Sequence, residues 1–267
     1  MKITKSKATS YIFKYITKDT KVSFTHIDHL SLNKRLHDNV LEAFFQSLEI
    51  DNLAVLTCRE SYNFFVEQDH VEMISTLEKS NYLIAPICLN NNHWTCVFID
   101  LEKSSFYYFD PLGVLEENKR RDGYFKIWQE YYKNALEENS ETNKIWKCEV
   151  IPHPKQAEKD VTNCGVFVCL FISKYFETNK ISFDTKPSDL KLYRTEIENS
   201  ITRGSCDMSI LCSICGNANS IIDESSDLIP CESVNCCLMY HKPCLEDFKT
   251  KTTFMKKLSC VLCNTNL

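Results

Sequence analysis

Three residues in this chain of 267, His93, Asp110 and Cys164, are of the types that acyl transfer by a thiol requires. Such chemistry needs a nucleophile, a base to take its proton, a group to orient that base, and donors for the developing oxyanion. Cys164 stands in the stretch Thr162-Asn163-Cys164-Gly165-Val166-Phe167-Val168-Cys169-Leu170-Phe171-Ile172, where a polar pair able to cap a helix precedes a wholly apolar run. The run predicts a core helix with a thiol at its mouth, and a helix start favours the thiolate form of a cysteine. One such cysteine alone is more often inert core. The upstream residues change the balance: His93 opens a strand after the turn Asn90-Asn91-Asn92, and Asp110 closes the partner strand. A hairpin would bring base and orienting carboxylate side by side.

A second set with chemical spacing lies toward the C-terminus, where nine of the 15 cysteines fall within Cys206 to Cys263. Cys212-x-x-Cys215, Cys231 with Cys236 or Cys237, His241-x-x-Cys244 and Cys260-x-x-Cys263 make four pairs, enough for two tetrahedral zinc ions. A segment this small cannot build an adequate apolar core, so bound zinc would supply its folding energy. Cys206 is left as a spare thiol.

The positioning elements follow from composition and period. With 43% hydrophobic and 25% charged residues, the chain suits one sizeable domain plus a small one. A net charge of −5 argues against direct nucleic-acid binding, although Lys2, Lys5, Lys7, Lys14 and Lys18 make residues 1–21 a basic segment, read as a solvated tail. No secretory leader is read at the start, and the longest apolar run, Val166 to Ile172, is far shorter than the ~20 residues of a membrane span. An intracellular protein with reduced cysteines is expected.

Val22 to His29 alternates like a short strand, and Asp38 can cap a helix carrying Leu41, Phe44, Phe45 and Leu48. A polar helix near Val71 to Lys79 precedes a buried strand from Leu83 to Leu89. His93 to Asp100 and Phe106 to Asp110 form the hairpin. Tyr124, Ile127, Trp128, Tyr131, Tyr132 and Leu136 stripe a long helix, and Lys147 to Ile151 adds a strand. A loop with Pro152, Pro154 and Gln156 leads to Cys164. Leu190, Tyr193, Ile197 and Ile201 mark a last helix stopped by Gly204. The fold class is α+β, divided into a basic segment (1–21), a main domain (22–203), a linker (204–210) and a zinc-bound module (211–267).

His93-Trp94, Phe109-Asp110-Pro111-Leu112-Gly113 and Asn163-Cys164-Gly165-Val166-Phe167, in this order, resemble the Ulp/SENP family of ubiquitin-like-protein-specific cysteine proteases. That family shares the adenain-like, broadly papain-like fold of the adenovirus-type proteases, and the resemblance covers about Val22 to Arg203. Arg35-Leu36-His37-Asp38 looks like the family's opening motif without its usual tryptophan. The resemblance implies that Cys164 attacks a carbonyl at the C-terminal glycine of SUMO or a related modifier, with no cofactor needed for catalysis. His93 would act as base and then acid, Asp110 would orient it, and Trp94 would cover the channel that binds the substrate's Gly-Gly tail. The oxyanion donors would be the Cys164 N–H and a glutamine, which the family places six residues before the cysteine. This chain has Glu158 there and Gln156 eight residues before. A two-residue insertion within Glu158 to Val161 would restore Gln156 to the hole, whereas a carboxylate would repel the oxyanion, so Gln156 is the expected donor.

The tail's order of four Cys, one His and three Cys resembles a PHD finger, with RING as the competitor. The resemblance implies that Cys212, Cys215, His241 and Cys244 hold one zinc and Cys231, Cys236, Cys260 and Cys263 the other. Histone tails or other proteins are the implied partners, although Tyr240, Phe248 and Phe254 without a tryptophan argue against methyl-lysine reading. Both resemblances favour the nucleus over the cytoplasm. The rival readings are an adenovirus-like or mobile-element polyprotein protease and an inactive protein-interaction adaptor.

Overall fold

The structure is a computed structural model that describes residues 13–18, 20–69, 71–113, 117–137, 144–231, 233, 236 and 238–251. Strands β1 (Phe13–Thr17) and β2 (Thr20–Ser23) pair antiparallel, so the segment expected as a solvated tail is a folded strand from Phe13 onward. The alternation of Val22 to His29 is strand only as far as Ser23. Ser23 Oγ accepts from His26 N, and His26 Nδ1 accepts from Ser23 N, which starts helix α1 (Phe24–Ser31). This reciprocal cap satisfies two helix-start donors and overrides the period-two pattern. In helix α2 (Asp38–Gln46) His37 is the N-cap and Asp38 is an acidic first-turn residue, one position inside the expected cap.

A five-stranded sheet follows: β3 (Leu53–Val55), β4 (Tyr82–Leu89), β5 (His93–Asp100), β6 (Ser105–Phe109) and β7 (Lys147–Glu149), in that spatial order. β4, β5 and β6 are antiparallel neighbours, while β3 and β7 run parallel to theirs. Helix α3 (Cys58–Tyr62), with a wider turn over Asn63–Glu67, and α4 (Ile74–Leu77) lie between β3 and β4. The long helix α5 (Glu117–Tyr132) precedes β7, and helices α6 (Cys164–Thr178) and α7 (Pro187–Arg203) come after it.

The central strands are buried on both faces, which is why they read as nearly unbroken apolar runs. On β5, Trp94, Cys96 and Phe98 join α1, α2, α6 and α7 in one core, while Val97 and Ile99 join the Asn63–Glu67 turn and α5 in the other. Gly204 ends α7, yet its φ is −80°, outside the left-handed region. What a side chain there would meet is Ser47, whose Cβ lies 2.5 Å from a Cβ built on Gly204. Close approach of α7 to the end of α2 is therefore the reason for glycine, rather than a left-handed cap.

Strands β8 (Leu228–Pro230) and β9 (Met239–His241) with helix α8 (Lys242–Lys251) form the cysteine-rich region. The β1–β2 hairpin holds that region: Phe13 N donates to Ser213 O at 2.8 Å and Lys21 Nζ to Cys215 O at 2.7 Å. The expected linker also pairs with the hairpin, through Cys206 N to Ile16 O at 2.7 Å. Among the described residues no helix is long and apolar enough to cross a membrane.

Candidate active site

The β4–β5 turn places His93. Asn90 and Asn91 take φ values of 51° and 54°, a left-handed conformation that asparagine tolerates better than most residues, and Leu89 then faces His93 across the ladder. Asp110 lies one residue beyond the Cys96–Phe109 pair, hence across from Thr95 and diagonal to His93. His93 Nε2 and Asp110 Oδ1 are 2.7 Å apart. Asp110 is wholly buried; Leu112 N also donates to its Oδ1 at 3.0 Å, and an Arg120 Nη1 lies 3.5 Å from Oδ2.

These contacts set the charges. Burial alone would push the Asp110 carboxyl up, but the His93 hydrogen bond and charge, the Leu112 N–H and Arg120 hold it below the usual carboxylate range. Burial works against the His93 cation too, and the Asp110 and Cys164 side chains outweigh it, raising His93 to about 9. His93 thus hydrogen-bonds Asp110 and interacts with the Cys164 side chain beside it. With Nε2 on the carboxylate, Nδ1 is the nitrogen left for the sulfur.

Cys164 is the first residue of α6 and is buried. Asn163 occupies the N-cap position as expected, but its side chain makes no cap bond. It is drawn away by Arg194 of α7, whose Nε and Nη2 donate to Asn163 Oδ1 at 3.0 and 2.8 Å, and by Asp160 Oδ2, which accepts from Asn163 Nδ2 at 2.9 Å. A Cβ on Gly165 would lie 3.1 Å from Leu36 Cβ and 3.2 Å from Trp94 Cδ1, so glycine lets these side chains pack against the helix start.

His93, Cys164, Gln156 and Glu158 line one cleft of about 200 Å³, with Arg35 and Asn92. Gln156 is buried, its backbone N–H donates to Pro111 O at 2.8 Å, and its Nε2 donates to the Asp160 carbonyl. Its Oε1 is buried without a partner. Glu158 stands exposed at the rim. Trp94 is buried, donates from Nε1 to Leu36 O at 2.9 Å, and lines a second cavity of about 480 Å³ beside Cys58, Tyr62 and Cys88. Arg35 lines both cavities. Sequence reasoning named Arg35 only as part of the opening motif and missed Arg120, Asp160 and Arg194 as neighbours of the site. Of the three missed, only Asp160 carries a local signal, an acidic residue two and three positions before the N–H groups it binds ahead of the helix.

In the cysteine-rich region, Cys212, Cys215, His241 and Cys244 are all buried, with donor atoms within 4.8 Å of one another. His241 Nδ1 lies 3.6 Å from Cys215 Sγ and 3.8 Å from Cys244 Sγ, while Nε2 is 2.7 Å from the Ala218 carbonyl. That carbonyl accepts a hydrogen bond from Nε2–H and leaves the Nδ1 lone pair facing the thiols, as a metal-ligating histidine requires. Gly216, with φ of +78°, closes the turn between the first two cysteines, and its N–H donates to Cys212 O at 2.7 Å. Three thiols and one imidazole fit a four-coordinate ion. Cys231 is buried and Cys236 half-buried, whereas Cys237, Cys260 and Cys263 lie outside the described residues.

A thiol on a helix start, in one cleft with a histidine that a buried carboxylate orients, is the arrangement of a cysteine hydrolase. The chain belongs to the Ulp1 protease family: the profile of that family's C-terminal catalytic domain matches residues 59–206. Solved structures agree on the fold. A SUMO protease Ulp1 with its catalytic cysteine oxidised to a sulfenic acid superposes with a TM-score of 0.58 at 18% identity, covering 73% of this chain and 90% of that one. The C-terminal Ulp1 protease domain in complex with Smt3, the yeast ortholog of SUMO, gives 0.55 at 17% identity, covering 71% and 87%. No curated protein sequence matches the chain.

Proposed function

We propose that this protein is a thiol protease that cleaves after the C-terminal glycine of SUMO or a related ubiquitin-like modifier. The observation that carries the reading is the His93–Asp110 pair at 2.7 Å beside Cys164 at the head of α6, in a chain of the Ulp1 family. Cys164 Sγ attacks the carbonyl carbon of the terminal glycine, its proton held by His93 Nδ1. The oxyanion receives the Cys164 N–H and a Gln156 Nε2 hydrogen. As the tetrahedral intermediate collapses, His93 delivers its proton to the leaving amine and a thioester remains. Water then attacks the thioester with His93 as base, releasing the modifier's carboxylate and restoring the thiol. Trp94 walls the channel for the substrate's tail.

The cysteine-rich region is proposed to hold zinc at Cys212, Cys215, His241 and Cys244, with Cys231, Cys236, Cys260 and Cys263 as a second set in a PHD-like order. Its role is structural, and its partner a protein such as a histone tail. A nuclear place of action accords with both parts.

Reaction of the zinc-loaded, reduced protein with C-terminal electrophile probes made from SUMO, ubiquitin and other modifiers tests the reading, with Cys164→Ala alongside. A covalent adduct with a SUMO-type probe, absent in the variant, is expected. A folded sample that reacts with none of the probes would overturn modifier cleavage and favour a polyprotein substrate or an inactive adaptor.

A further inference from the structure

The loop before Cys164 is held by one acidic side chain. Asp160 Oδ1 accepts from Thr162 N at 3.0 Å and Asn163 N at 3.1 Å, and Oδ2 accepts from Asn163 Nδ2 at 2.9 Å. Such i to i+2 and i+3 bonds satisfy the N–H groups of the two residues just ahead of the helix, Thr162 and the N-cap Asn163. The same residue closes a turn, Asp160 N donating to Ala157 O at 2.9 Å, which carries Glu158 and Lys159 outward. Its carbonyl, aimed by that turn, receives Gln156 Nε2. One of the two Gln156 amide hydrogens is thereby fixed, with the side chain lining the cleft that holds Cys164.

Arg194 anchors this loop from α7. Its Nη1 donates to His29 O at 3.2 Å and its Nη2 to Thr162 O at 3.1 Å, in addition to the Asn163 bonds, and only 2% of the residue is exposed. Burial lowers its pKa to about 10, against which the Asp160 charge acts. Asp160 also lines the catalytic cleft, where a free carboxylate would repel an oxyanion. Its oxygens are instead turned to the Asn163 and Thr162 donors, which with the neighbouring Gln156 amide outweigh burial and hold its pKa below the usual range.

We infer that Asp160 is a positioning residue: it brings the Gln156 amide into the oxyanion site across the longer-than-usual spacing to Cys164, with Asn163 and Arg194 as its anchor. The inference rests on the reading of Cys164 as nucleophile and Gln156 as donor. It accounts for an amide that reaches the cleft from eight residues upstream.

The test separates acyl transfer from thiol reactivity, using nitrophenyl acetate, which forms an oxyanion on acylation without modifier recognition, and iodoacetamide, which forms none. Asp160→Ala is expected to slow acylation by roughly 10²-fold while alkylation of Cys164 stays within about threefold of wild type. On a Gln156→Ala background, Asp160→Ala is expected to cost nothing further. Asp160→Asn, which keeps an oxygen for Thr162 N and Asn163 N, should recover most of the loss. Parallel falls in acylation and alkylation, or losses that multiply in the double variant, would overturn the inference. Wild-type protein with no Cys164-dependent acylation would overturn the nucleophile reading, and this inference with it, an outcome distinguishable because it precedes any change at Asp160.

Discussion

His93 Nε2 meets Asp110 Oδ1 at 2.7 Å, and the carboxylate is wholly buried while the ring keeps 14% of its side-chain surface exposed. The buried partner decides which ring nitrogen carries the proton, and so which one faces Cys164. Asp110→Asn preserves the shape but presents an amide that can donate as well as accept, which favours the wrong tautomer. The turnover number for a SUMO C-terminal fluorogenic amide is expected to fall on the order of 10³–10⁴-fold with little change in KM. An unchanged turnover number in the variant would remove Asp110 from the mechanism.

The pH dependence follows from His93. Its pKa is raised from 6.5 to about 9 in the folded protein, so the folded state holds this proton more tightly than the unfolded chain. The stability it contributes is complete below pH 6.5 and is lost as pH rises through about 9. Activity should decline over the alkaline end of the same window, as His93 loses the proton it must deliver to the leaving amine. In Asp110→Asn the alkaline limb is expected at lower pH. A pH–rate profile of kcat, with thermal melting at each pH in His93→Ala as the control, reads both effects.

Gln156 and Glu158 both line the cleft, but the amide is buried and the carboxylate is exposed. Gln156→Ala should lower kcat by roughly 10²–10³ through the loss of one oxyanion donor. Glu158→Ala should leave kcat nearly unchanged, because a solvated rim charge adds little to a barrier inside the cleft. The reverse pattern would overturn the assignment of Gln156 as the oxyanion donor.

The parts legible in the sequence were those specified by local pattern. The β5–β6 hairpin read correctly because its strands are short, apolar and bounded by turn residues, and it carried His93 and Asp110 together. The apolar run behind Cys164 likewise marked α6. What escaped is contact between distant segments. Arg194 takes the Asn163 side chain from 31 residues away, which is why the expected cap bond is missing. The β1 strand is held partly by Ser213 and Cys206, so nothing in residues 1–21 alone announces it. The strand predicted through His29 failed for a local reason, since the Ser23–His26 cap outcompetes period-two alternation. Gly204 was chosen by Ser47, a neighbour only in the folded chain.

Packing beside the nucleophile gives a stability prediction. Trp94 is 3% exposed, its Nε1 donates to Leu36 O, and its ring touches the position where Gly165 would carry a Cβ. Trp94→Ala should destabilise the protein by about 3–5 kcal/mol in urea unfolding, the usual cost of emptying a buried aromatic site. Trp94→Phe separates packing from the hydrogen bond: it keeps most of the ring but leaves the Leu36 carbonyl without the indole donor, at a cost of about 1–3 kcal/mol. If Trp94 also walls the substrate channel, the Phe variant should raise KM for a modifier substrate while iodoacetamide alkylation of Cys164 remains unchanged. An unaltered KM would restrict Trp94 to packing.

Metal removal completes the set. The Cys212, Cys215, His241 and Cys244 donor atoms converge within 4.8 Å, so an ion bound there would contribute folding energy to this region. Chelation should abolish hydrogen-exchange protection across residues 212–248 while the five-stranded sheet keeps its own. Elemental analysis of the reduced protein should give two zinc ions per chain, falling to one in Cys212→Ser. Because the β1–β2 hairpin donates from Phe13 and Lys21 to Ser213 and Cys215, chelation should also loosen β1. Protection of β1 that survives complete metal loss would mean that its pairing with β2 is sufficient and that the cysteine-rich region is only attached to the hairpin, not supported by it.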